Sequence, residues 1–132
     1  MSDSTGLIAI SFFALSGGFL SMYIAGKAND VGPQIATGVV RGSPVSVGVR
    51  EGMLWGMWLP YQFAVVIVTS FHALAMLEMA NHVTGANLKL LAHLAAFLAG
   101  SNSIFSLAIG LNALPRYHAK LRRDKQRQAE AD

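Results

Sequence analysis

The sequence contains no cysteine, so disulfides, thiol nucleophiles and cysteine-ligated metals are excluded by count. Charge is the next scarcity. Asp, Glu, Lys and Arg make up 13% of the 132 residues, whereas an ordinary soluble domain carries about 25%. Hydrophobic residues supply 53% of the chain and the mean hydropathy is +0.45. That balance excludes disorder, an ordinary soluble enzyme and a disulfide-built secreted module. Lys and Arg are also missing from the leader Met1-Ser2-Asp3-Ser4-Thr5. A secretory leader begins with a basic region, so the first apolar block is expected to stay as a span rather than be cleaved. What remains is an all-α integral membrane protein.

Three apolar blocks are long enough to cross a hydrocarbon core of about 30 Å at about 1.5 Å per residue. They run from Gly6 to Gly26, from Met53 to Ala80 and from Leu88 to Leu114. Basic residues then set the orientation. Lys27, Arg41 and Arg50 lie in the first connection, and Arg116, Lys120, Arg122, Arg123, Lys125 and Arg127 lie after the third span. The N-terminus and the 81–87 connection have none. Three spans put both basic segments on one side, and the positive-inside rule makes that side cytoplasmic. The expectation is a multi-pass protein of the plasma (inner) membrane with its N-terminus outside and its C-terminus in the cytoplasm. Residues 1–115 form the three-helix transmembrane domain and 116–132 a basic cytoplasmic tail.

The first connection is long and holds Pro33, Pro44 and several glycines. Ser43-Pro44 reads as a helix N-cap followed by proline at the first helical position. That predicts an interfacial helix beginning near Pro44 and leading into the second span. Alternation of Val45, Val47 and Val49 offers a short strand instead. Pro115 is expected to end the third helix, leaving a frayed tail whose basic residues meet anionic lipid. The same basic residues are required by topology, so the pI near 9.6 does not point to nucleic acid.

Two helices carry seams of small residues. Ser11, Ala14, Gly18, Ser21 and Ala25 share one side of the first helix, and Ala92, Ala96, Ala99, Ser103, Ser106 and Gly110 share one side of the third. Such seams let membrane helices approach closely. Gly52 and Gly56 add a GxxxG spacing near the end of the second span. The second helix carries a different stripe: Trp58, Tyr61, Gln62, Val65, Thr69, His72, Met76 and Met79 lie within about 100° on a helical wheel. Polar groups are costly in lipid, so this face is expected to point into protein, where interhelical hydrogen bonds are the first reading and a partner or ligand the second.

His72 and His93 lie at similar depth on antiparallel helices, and two imidazoles can ligate a haem from both sides. Haem b bound by His72 and His93 is therefore the cofactor alternative, although no cofactor is the leading expectation. Glu78 and His82, four apart, read as an ordinary surface pair, and no metal site is expected. Neither paired carboxylates, nor a Ser–His–acid order, nor a phosphate-cradling glycine loop is present. The reading is a non-catalytic accessory or structural subunit of a larger membrane complex, or a small homo-oligomer. Its partners are lipids and other membrane subunits or copies of itself. A haem-binding anchor of a respiratory-type complex and an oligomeric pore lined by Gln62, Thr69 and His72 are the alternatives.

Overall fold

A computed structural model describes residues 2–132. The three expected spans are present as three long helices, each apolar enough to cross a membrane. Helix α1 covers Asp3–Thr37, a continuous helix of α2 (Val47–Met53), a π turn (Leu54–Trp58) and α3 (Leu59–His82) follows, and α4 covers Ala86–Ala131. The 35 residues of α1 and 46 of α4 extend about 52 and 69 Å at 1.5 Å per residue. Both therefore overshoot a hydrocarbon layer of about 30 Å. Large apolar side chains such as Phe12, Phe19, Phe71, Phe97, Ile104 and Phe105 point outward. That inversion of a soluble protein is what a lipid-facing surface requires.

Helix α1 does not stop at Gly26. It runs through Lys27 to Thr37 because Ala28, Val31 and Ile35 continue a buried stripe at helical spacing. Gly38 ends it in the left-handed region, at φ +73°, with its amide bonded to the Gln34 carbonyl. Arg41 (φ 49°) and Gly42 (φ +79°) then make the two-residue turn of a small hairpin, β1 (Val39–Val40) against β2 (Ser43–Pro44). Positive φ at both turn positions matches the twist of the strands.

The helix predicted to begin at Pro44 begins instead at Val47. Ser46 is its N-cap, its hydroxyl accepting from the Val49 amide at 3.2 Å. Ser43 and Pro44 belong to the hairpin, where Gly42 supplies the turn and the missing Pro44 N–H is tolerated on an edge. The alternative strand over 45–49 is overturned as well, since Val47 and Val49 lie in α2.

The π turn has a local cause. Pro60 has no N–H to give the Gly56 carbonyl, and its ring crowds that carbonyl in a regular α-helix. Widening the preceding turn, with the Leu59 amide donating to the Leu54 carbonyl, takes up the misfit without breaking the helix.

Pro115 does not end α4. The helix continues to Ala131, because residues beyond the proline pack on the rest of the chain. Ala113 and Leu121 join Ala28, Val31, Ile35, Met53, Leu54 and Trp58 in one buried cluster at the basic end. Tyr117 meets Trp58 edge to face, ring centroids 5.1 Å apart. As far as Asp124 the tail is thus a packed helix rather than a frayed extension, and from 125 onward the helix is exposed. A second cluster of Ile10, Ala80, Val83 and Ala92 closes the opposite end, under the short 83–85 connection.

Candidate functional site

The inward stripe of the second span faces protein. Trp58, Val65, Thr69 and Met76 are buried, and Tyr61, Gln62, His72 and Met79 are half-buried. Two of its polar side chains are hydrogen-bonded within the bundle. Gln62 Nε2 donates to the Ser106 carbonyl at 2.6 Å, and Thr69 Oγ1 donates to Val65 of its own helix at 2.7 Å. Ser70 and Ser103 hydroxyls, 2.7 Å apart, both approach the Val66 carbonyl. The Gln62–Ser106, Ser70–Ser103 and Ser103–Val66 bonds tie α3 to α4 along the predicted seam of α4. Ala92, Ala96, Ala99, Ser103 and Ser106 are all buried, and a Cβ at Gly110 would come within 3.0 Å of Gln62.

The seam of α1 is used differently. Ser21 is buried and its hydroxyl donates to the Gly17 carbonyl at 2.8 Å, but Ser11 is exposed and Ala14 and Gly18 are half-buried. The close approach to α3 is made by Gly17, where a Cβ would come 2.5 Å from the His72 ring. A Cβ at Gly18, by contrast, would meet nothing within 4 Å, nor would one at Gly52 or Gly56.

Beside Gly18 lies a cleft of about 250 Å³. Ala14, Gly18 and Ser21 of α1 form one wall, Ala95, Leu98, Ala99 and Asn102 of α4 the other, and Thr69 and His72 the floor. Among the described residues, His72 Nε2 is the one buried side-chain nitrogen or oxygen without a hydrogen-bond partner. Leaving such an atom unpaired costs about 1–3 kcal/mol. Asn102 is exposed in the same cleft, its amide oxygen receiving a long 3.5 Å hydrogen bond from Ser106.

His93 is not brought to this site. It is exposed, and its Nδ1 donates to the Lys89 carbonyl one turn back at 2.6 Å. Asn102 lies nine residues further on, hence about 180° away at 100° per residue. The cleft that holds His72 therefore opens on the side of α4 opposite His93. Glu78 and His82 form their exposed pair at 3.0 Å.

Sequence reasoning missed the cluster at the basic end. Arg50 is 6% exposed; its Nε donates to the Ile35 carbonyl at 2.9 Å, and one terminal nitrogen reaches the Ala36 carbonyl at 3.4 Å and Asp124 at 2.9 Å. It thus caps the C-terminal end of α1 and clasps α4 in one contact. Lys120 supports the same carboxylate from 3.6 Å. Burial alone would raise the Asp124 carboxyl, but the Arg50 hydrogen bond and the charges of Lys120 and Arg50 outweigh it and hold it below its ordinary value. A signal was present: Ala113, Tyr117, Leu121 and Asp124 continue a helical stripe straight through Pro115.

Comparison of the chain with protein-family models, curated proteins and solved structures finds no match.

Proposed function

We propose that this chain is a non-catalytic membrane subunit that assembles with a further transmembrane helix, of another subunit or of a second copy, through the cleft between α1 and α4. The observation that carries this reading is the cleft itself, walled by small residues, floored by the His72 ring and with the Asn102 amide exposed in it. His72 precedes the end of α3 at His82 by ten residues, about 15 Å, which is half of a 30 Å hydrocarbon layer. Water is scarce there, so polar groups look to protein for partners. The walls of Ala14, Gly18, Ala95 and Ala99 let another helix approach closely enough to provide one.

A Cβ at Gly18 meets nothing within 4 Å of this chain and Gly18 lines the cleft, so Gly18→Leu should leave folding and insertion unchanged while assembly is lost. His72→Ala should likewise insert normally and be retained less well. Native mass after mild detergent extraction reads both. A parent protein that runs as a lone monomer, or a Gly18→Leu variant that assembles like the parent, would sink the proposal. A Soret band in the parent, lost in His72→Ala, would replace it with the haem reading.

In this proposal the membrane is the plasma (inner) membrane, with the basic end of the bundle in the cytoplasm. Single cysteines at Ser2, Ser43 and Ala129 test the orientation in intact cells. An impermeant thiol reagent should label the first and neither of the others. External labelling at position 129 would reverse the assignment.

A further inference from the structure

On the flank of α4 away from the His72 cleft lie two hollows, the lining of one ending at Leu114 and that of the other beginning at His118, one turn further along. The one nearer the basic end is a cleft of about 310 Å³ between Glu51 and Trp55 on one side and His118, Arg122 and Lys125 on the other. The other is a crevice of about 170 Å³ between α3 and α4, walled by Leu59, Phe63, Leu107, Leu111 and Leu114. Gln62 and Ser106 also line this crevice, but the Gln62 amide is already bonded to the Ser106 carbonyl.

The two hollows form one groove. Leu107, Leu111, Leu114, His118, Arg122 and Lys125 follow each other at steps of three and four residues, so they make a single ridge of α4. Glu51, Trp55, Leu59 and Phe63, each four apart, make the facing ridge. Chemistry changes along the groove where the membrane changes. Leu114 ends the apolar part of α4, and His118 stands about 6 Å beyond it at 1.5 Å per residue. That is within the headgroup layer, about 5–8 Å deep on each side of the hydrocarbon. Arg122 and Lys125 start higher, and their long stems can reach back toward that layer. Trp55 supplies an amphipathic ring at the boundary. Lys125 lies 3.8 Å from Glu51, whereas Arg122 has no carboxylate within ion-pair distance among the described residues. Asp124, next along the helix, is already held by Arg50 and Lys120.

We propose that this groove binds one anionic glycerophospholipid, with its phosphate between Arg122, Lys125 and His118 and an acyl chain in the Leu107–Leu111–Leu114 crevice. A helix of another protein would be asked to match a cationic end and an apolar end in the same order. A phospholipid has that order by construction, at the same two depths.

The test is lipid retention by the full chain, purified from bilayers of equal phosphatidylglycerol and phosphatidylcholine and read by native mass spectrometry. The parent should keep one phosphatidylglycerol in clear preference to phosphatidylcholine. Arg122→Ala with Lys125→Ala should reduce that retention about tenfold. Arg116→Ala with Arg123→Ala removes the same charge from the other flank of α4 and should change it little. Leu107→Trp, which fills the crevice and leaves every charge in place, should also displace the lipid. Soluble glycerol phosphate, which has the phosphate without the chains, should not compete at millimolar concentration. Equal losses from the two double variants would reduce the effect to general surface charge and overturn the site. So would unchanged retention in Leu107→Trp, competition by glycerol phosphate, or equal retention of phosphatidylcholine.

Discussion

Replacing Arg50 with methionine should release the basic end of the molecule. The substitution keeps the stem and removes the guanidinium, leaving the Ile35 and Ala36 carbonyls without their donor and the Asp124 carboxylate with Lys120 alone. Removing one partner of a fully buried ion pair costs about 3–5 kcal/mol; the Asp124 left behind is partly exposed and keeps Lys120 at 3.6 Å, so the loss should lie near the lower end. Asp124→Asn keeps an acceptor and the shape, so its cost should be smaller, about 1.5–3 kcal/mol, the worth of a hydrogen bond to a charged group. Unfolding by SDS titration in mixed micelles reads the loss. Trypsin gives a local readout, since Arg122, Arg123 and Lys125 lie in the released helix. Cleavage there should accelerate in Arg50→Met while the spans remain intact. Unchanged cleavage and an unchanged titration midpoint would show that the clasp does not hold the tail.

The pH dependence of the same clasp has a definite sign. The Asp124 carboxyl is held below its ordinary value in the folded state, so the unfolded chain binds a proton more readily. The stability it contributes is fully present above the ordinary carboxylate range, about pH 4, and is lost as pH falls through the lowered value. Tail protection should therefore be flat from neutral pH down to about 5 and decline only in stronger acid. In Asp124→Asn this component of the acid dependence should vanish.

The second large effect is expected at Gly17. A Cβ there would come 2.5 Å from His72 Cδ2 and 2.6 Å from Nε2, and the contact is with a ring rather than the end of a flexible chain. Gly17→Val should force α1 away from α3, at the upper end of the about 1–3 kcal/mol typical of overpacking or beyond it. Gly18→Ala, one residue on, should be close to neutral for folding because nothing lies within 4 Å of its Cβ. His72→Ala should relieve much of the Gly17→Val defect, and the coupling in that double-mutant cycle identifies the contact. Comparable losses at both glycines, or no relief from His72→Ala, would contradict the packing of α1 on α3.

Much of the candidate site could be read along the chain. The stripe from Trp58 to Met79 was identifiable as inward-facing because Gln62, Thr69 and His72 are expensive in lipid. The α4 seam of Ala92, Ala96, Ala99, Ser103 and Ser106 was identifiable because small residues recur at helical spacing. Within the chain, the close approach of α1 to α3 is made by Gly17 and not by Gly18 of the small-residue seam. Gly17 and Gly18 are adjacent and chemically identical, and only the rotation of α1 about its axis decides which one receives the imidazole. Similarly, Ser43 and Ser46 are both competent N-caps. The hairpin turn at Arg41-Gly42 takes Ser43-Pro44 into a strand and leaves the cap to Ser46.

The sequence alone determined the number of spans and the division of the chain into an apolar bundle and a basic end. Those properties follow from block length and charge count, which are sums over local residues and need no knowledge of neighbours. Only the tertiary structure decided that the helix continues beyond Pro115, that Arg50 meets Asp124 across 74 positions, and that His72 and His93 open on different sides of α4. A helical period fixes which residues share a face, but says nothing about what that face meets. Local propensity stops a helix at proline, whereas the burial of Leu121 and the clasp on Asp124 supply stabilisation that local propensity does not contain.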